Sequence, residues 1–81
     1  MLVIRKREYL TALKVILSFI SKDSRNRALS FKSQLDNKIN NLVNFPYKFK
    51  QSINHNDESV RDMIFKGYTI TYLIENDKDR I

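Results

Sequence analysis

Residues Val60–Ile74, VRDMIFKGYTITYLI, are the only part of the chain that reads as two strands meeting at a turn. With Lys66-Gly67 as a two-residue loop, Phe65 faces Tyr68, Met63 faces Ile70 and Arg61 faces Tyr72, all on one side of the ribbon. That side is mostly apolar. Val60, Asp62, Ile64, Thr69, Thr71 and Leu73 fall on the other side, which is mixed enough to stay partly wet. The rival is a three-residue loop with Gly67 as the bulge, which spares Lys66 a positive φ but slips the register by one and sets Asp62 opposite Ile70 on the buried side. Burial favours the two-residue turn. A lone hairpin is not stable in water: about five large side chains contribute roughly 1.5–3 kcal/mol each, against about 1–2 kcal/mol per residue for ordering the backbone. The rest of the chain must therefore supply something that packs on its apolar side.

The 81 residues read as one small domain, near the length at which a single core only just suffices. There is no cysteine and one histidine, so disulfides, a thiolate metal site and a zinc site are excluded; no metal and no cofactor is expected. A cytoplasmic protein fits that composition. The net charge of +6 is uneven: residues 1–50 hold eleven Lys/Arg against three Asp/Glu, residues 51–81 four against six. A basic half points either to an anionic partner or, more ordinarily, to a solvated lysine-rich helix surface. The opening MLVIRKREYLTALKVILSFI is not a signal peptide, because Leu2-Val3-Ile4 precedes Arg5-Lys6-Arg7, Lys14 breaks the apolar run and no small-residue cleavage site follows Ile20. No run approaches the ~20 apolar residues of a membrane span.

Outward from the hairpin, Leu2–Lys6 favours extended structure and is expected as a first strand. Glu8–Ser21 shows helical periodicity, with Leu10, Leu13, Leu17 and Ile20 on one stripe widened by Tyr9, Ile16 and Phe19. Lys22-Asp23-Ser24 interrupts it, and Asp23 or Ser24 is expected to cap a second helix over Arg25–Asn44 with Ala28, Phe31, Leu35, Ile39 and Leu42 inward. Phe45-Pro46 stops that helix, since the residue before proline is pushed out of the helical region. The short connection makes the two helices an antiparallel pair, long enough to cover the ribbon. Lys48–Ser59 is a polar loop holding His55, Asp57 and Glu58; without a nucleophile or ligand set nearby, His55 reads as a surface residue. Glu75–Asp79 is a turn by composition, and Arg80-Ile81 looks like the first step of another strand.

The order strand, helix, helix, hairpin resembles the RelE/ParE superfamily of bacterial type II toxins. The features that carry it are Ala12-Leu13 to Ile20 ending in Ser21-Lys22-Asp23, Arg27-Ala28 followed by Phe31 and Leu35, Ile39, Leu42 and the Phe45-Pro46 stop, then Arg61 and Gly67-Tyr68-Thr69-Ile70-Thr71-Tyr72. The resemblance implies an α+β fold with the helical pair on one face of a small antiparallel sheet, and an antitoxin whose helix or extended segment wraps the toxin. It also implies a C-terminal strand beyond Arg80-Ile81, so a truncated or shortened form is expected. The RelE-type mRNA endoribonucleases place lysines at alternating positions before Gly-Tyr and an arginine just after it, where this chain has Val60, Asp62 and Thr69. The chain therefore looks closer to the ParE branch, whose members block DNA gyrase without a catalytic set. A RelE-like nuclease and an inactive truncated member are the competing readings. The assembly expected is a homodimer or a hetero-oligomer with the antitoxin, with operator DNA touched only through the antitoxin.

Six residues are expected at a surface that binds the target or the antitoxin: Arg61, Lys48, Lys50, Lys66, Tyr68 and Tyr72. All but Lys66 have a structural reading beside that one. Arg61 stacks on its cross-strand neighbour Tyr72, the two tyrosines belong to the core, and Lys48 and Lys50 are solvated loop charges.

Overall fold

The computed structural model describes residues 1–81. Arg7–Asp23 forms helix α1, Arg25–Asn40 helix α2, and Lys50–Gln51 (β1), Val60–Phe65 (β2) and Tyr68–Leu73 (β3) an antiparallel sheet in the order β1-β2-β3. The fold is α+β. It divides into two compact units, the helices (Ile4–Asn40) and the sheet with its loops (Met1–Val3 and Asn41–Ile81).

In the helical unit, α1 starts one residue before and ends two after the expected span, with Glu8 in its first turn and Lys22 in its last, each complementing the helix dipole. Only Leu13 is fully buried. Tyr9, Ile16, Leu17 and Ile20 are half-buried, while Leu10 and Phe19, expected to widen the apolar stripe, are exposed, Phe19 by 67%. Ser24 alone connects the helices, and its Oγ accepts from the Arg27 N–H at 3.2 Å, which caps α2. Ala28, Phe31, Leu35 and Ile39 form the buried stripe of α2. The two helices are antiparallel: Arg5, just before α1, donates to Asn40 Oδ1 at the far end of α2 (3.1 Å).

The α-helix ends at Asn40, short of the expected Asn44, and Asn41–Val43 continues as a single 3-10 turn. Local hydrogen bonding explains the early stop. Asn44 donates from its backbone to the Asn41 carbonyl (3.1 Å) and from Nδ2 to Asn41 Oδ1 (2.9 Å), competing with the helical ladder just before Phe45-Pro46.

The hairpin of the sheet unit has the two-residue turn. Phe65 pairs with Tyr68, Met63 with Ile70 and Arg61 with Tyr72, and both Lys66 (φ 48°) and Gly67 (φ 86°) sit in the left-handed region that a type I′ turn needs. Burial follows the alternation: Met63 is 0% exposed and Phe65 is buried, whereas Ile64 between them is 66% exposed. Leu42, Ile74 and Ile81 are the other buried apolar residues of this unit.

Two expectations for the sheet are corrected. Leu2–Lys6 is not a strand; only Leu2 bridges, in parallel with Arg80, through Leu2 N–H to Asp79 C=O (3.0 Å) and Ile81 N–H to Leu2 C=O (2.9 Å). Extended propensity alone does not make a strand without a row of partners, and one rung is all that Arg80 offers. Conversely, Lys48–Ser59 is not all loop, because Lys50 and Gln51 pair with Asp62 and Arg61. Arg80 also bridges Glu75 in antiparallel fashion, closing the Asn76–Lys78 turn.

Candidate binding site on the sheet unit

Arg61 is the residue that organises the sheet unit around its loops. Its guanidinium lies over the Tyr47 ring with 4.9 Å to the centroid, Nε donates to the Glu58 carbonyl at 2.7 Å, and Nη1 donates to the Phe49 carbonyl at 3.1 Å. One side chain on β2 thus fastens the segment entering β1 and the segment leaving the polar loop. The planar guanidinium suits this: its fork reaches two carbonyls while its face stays free to stack. The stack is on Tyr47, not on the cross-strand Tyr72 that sequence reading names.

Tyr72 works beside it. Its hydroxyl donates to the Pro46 carbonyl at 2.7 Å, and burial raises its pKa, with the Arg61 charge opposing that shift. Asn76 Nδ2 donates to the Tyr47 hydroxyl at 2.8 Å, so Pro46 and Tyr47 are held from β3 and from the turn after it. Tyr47, Phe49, Pro46 and Glu58 are absent from the residues that sequence reading names. Their part is played by backbone carbonyls and one ring, far along the chain from Arg61, and no linear pattern marks them.

The six expected residues do not form one cluster. Arg61 and Tyr72 meet at the end of the hairpin remote from its turn. Lys48 is exposed and lies 5.5 Å over the Phe49 ring. Lys66 and Tyr68 belong to the turn, five residues along β2 from Arg61, a distance of about 16 Å. Tyr68 is exposed, contrary to its core reading. Lys50 is the cross-strand partner of Asp62, which puts it on the opposite face of the sheet from Arg61.

That opposite face carries Lys50, Val60, Asp62, Ile64, Thr69, Thr71 and Leu73. Asp62 accepts from the Thr71 hydroxyl at 2.8 Å, and Ile64 and Leu73 stand exposed on either side. Stabilising the anionic transition state of phosphodiester cleavage needs several converging donors or cations. Here one lysine shares the face with a carboxylate, two threonines and three aliphatic side chains, a surface suited to protein contact. The outer edge of β3 is also unpaired. In this register the N–H and C=O groups of Thr69, Thr71 and Leu73 point away from β2.

The polar loop contains a Ser–His contact, Ser52 Oγ to His55 Nδ1 at 3.0 Å. Ser52 is 2% exposed, and Asp57 is turned to the Ser59 N–H (2.9 Å) rather than to the imidazole. The pair closes the loop and presents no accessible nucleophile. No group of three His, Asp or Glu side chains converges as metal ligands, and no helix is long and apolar enough to cross a membrane.

The sequence pattern of one family, described as ParE toxin of type II toxin-antitoxin system, parDE, matches residues 3–81. No curated protein and no solved structure matches the chain.

Proposed function

Because the chain belongs to the ParE toxin family of type II toxin–antitoxin systems, we propose that it acts by binding DNA gyrase in the cytoplasm and blocking it, rather than by cutting RNA. The observation that carries this reading is the open face of the sheet, where Val60, Asp62 and Thr69 occupy the positions at which an RNA-cleaving relative needs cations. The Asp62 carboxylate, held in place by the Thr71 hydroxyl, sets a negative charge there, which repels phosphate.

The family implies a cognate antitoxin. We place its contact on the sheet unit, with an extended segment paired along the free edge of β3 and side chains over Ile64 and Leu73, as strand addition to an exposed edge generally works. Arg61 then serves binding indirectly, by holding the Tyr47–Lys50 segment and its two exposed lysines in place, while Lys66 at the turn and Tyr68, on the other face at the start of β3, flank the end of that edge. Operator DNA is reached only through the antitoxin, in a hetero-oligomer.

Supercoiling of relaxed plasmid by purified gyrase tests the proposal. The chain is expected to inhibit it, and an excess of the antitoxin to restore it. Undisturbed supercoiling together with primer-extension stops in translated mRNA would overturn it in favour of the nuclease.

A further inference from the structure

Helix α1 is apolar on two sides, and only one of them is buried. Val15 and Phe19 are 66% and 67% exposed, and Ala12 beside them is exposed as well. At about 100° per residue these three, with Glu8 and Lys22, lie within about 80° of one another. Their strip runs opposite Leu13, the one fully buried residue of the helix. Positions 8, 12, 15, 19 and 22 are spaced four, three, four and three residues apart, the spacing of a seam that meets another helix. Thr11 and Ser18 border the strip on one side, both short and uncharged. Neither Glu8 nor Lys22 takes part in an ion pair within the chain.

We propose that this strip docks a second copy of the chain, α1 against α1, antiparallel about a twofold axis that passes beside Val15. The strip complements itself in that arrangement. Glu8 lies seven residues before Val15 and Lys22 seven after, about 10 Å either way, so Glu8 of each copy stands level with Lys22 of the other. Ala12 is three residues before Val15 and Phe19 four after, so the short side chain of one copy leaves room for the ring of the other. Parallel pairing would instead set Glu8 on Glu8 and Lys22 on Lys22. A lipid surface fits less well, since helices that lie on membranes are rich in Lys and Arg on their polar side. This strip has one charge of each sign, in an order that its own reversed copy answers, and the twofold axis makes each contact twice. The strip is about 21 Å long, which puts the interface below about 1,200 Å² and the dissociation constant at about 0.1 mM. It uses no residue of the sheet unit and rests on neither the gyrase nor the antitoxin reading.

The test is sedimentation equilibrium of the full chain at low salt, from about 10 µM to about 1 mM. The average mass of the wild type is expected to climb toward that of two chains. Phe19→Glu enters the interface twice and is expected to weaken it about a hundred-fold, leaving a monomer. Glu8→Lys and Lys22→Glu, each alone, set like charges opposite each other and are expected to weaken the dimer about ten-fold. Mixed in equal amounts, these two variants regain both ion pairs and should associate with the wild-type constant. All three positions are exposed, so circular dichroism should show unchanged helix content and separate lost pairing from lost folding. A wild type that stays monomeric at the highest concentration, a dimer that survives Phe19→Glu, or a mixture no tighter than its components would overturn the proposal. So would binding of the monomer to phosphatidylserine vesicles that Phe19→Glu abolishes, which would give the strip to a lipid surface. None of these outcomes bears on supercoiling.

Discussion

Replacing Arg61 by alanine removes three contacts at once, and the loss can be worked through from the geometry. The stack on Tyr47 is half-exposed, which puts it near the lower end of cation–π energies, about 0.5–1 kcal/mol. The bond to the part-buried Phe49 carbonyl is charge-assisted and leaves an acceptor without its donor, about 1.5 kcal/mol. The Glu58 carbonyl is exposed and water can replace the donor, so that bond counts about 0.5 kcal/mol. The total is about 2.5–3 kcal/mol. A chain of this length has about 4–12 kcal/mol in all, and at 4–8 °C per kcal/mol the midpoint should fall by roughly 10–20 °C. Urea and thermal unfolding followed by circular dichroism measure this directly. Arg61→Lys sharpens the test, because one ammonium cannot reach both carbonyls and stack as well; it should recover less than half of the loss. Since neither acceptor is a carboxylate, the effect should persist in high salt. An alanine variant within 0.5 kcal/mol of wild type, or a lysine variant equal to it, would refute the assignment of Arg61 as the fastener of these loops.

The remaining expectations concern single features. Lys66→Asn should stabilise the chain by about 0.5–1.5 kcal/mol, because asparagine tolerates the left-handed region that costs lysine about 1–2 kcal/mol, less about 0.5 kcal/mol for the lost contact with the Phe65 ring; chemical denaturation reads the sign. Tyr9→Phe should raise stability by about 1 kcal/mol in the same assay, since the Tyr9 hydroxyl is enclosed and, although Arg5 lies near it, makes no hydrogen bond of good geometry. Stability should fall at alkaline pH: burial raises the pKa of both Tyr9 and Tyr72 above the ordinary 10.0, so their contribution is complete below pH 10 and is lost as the pH climbs through the raised values. A pH titration of the midpoint in the Tyr9→Phe background should show a shallower decline.

The hairpin was legible because strict alternation and a single glycine leave one register that buries Met63 and Phe65 while exposing Ile64. The helices were legible for the same reason at a different period, with the cap narrowed to Asp23 or Ser24, of which the structure uses Ser24. Phe19 and Leu10 were misassigned because a wide apolar stripe says which side of a helix faces inward, not how far round its neighbour reaches. β1 escaped because it is two polar residues long, and its pairing is written in backbone register rather than in side-chain pattern. The Leu-Val-Ile opening erred in the opposite direction, with high extended propensity but only one available rung. At the candidate site, sequence identified Arg61 and Tyr72 but not what they hold, since backbone carbonyls carry no sequence signature.

The rung between Leu2 and Arg80 joins segments separated by nearly the entire chain. Closing a ring of that size forfeits about 4 kcal/mol of chain entropy, whereas its two backbone bonds return about 1–3 kcal/mol. Such a tether cannot form first. It zips shut only after local pairings have shortened the ring, and it frays before anything else, so the Leu2 and Ile81 amides should exchange with solvent deuterium ahead of those of the hairpin.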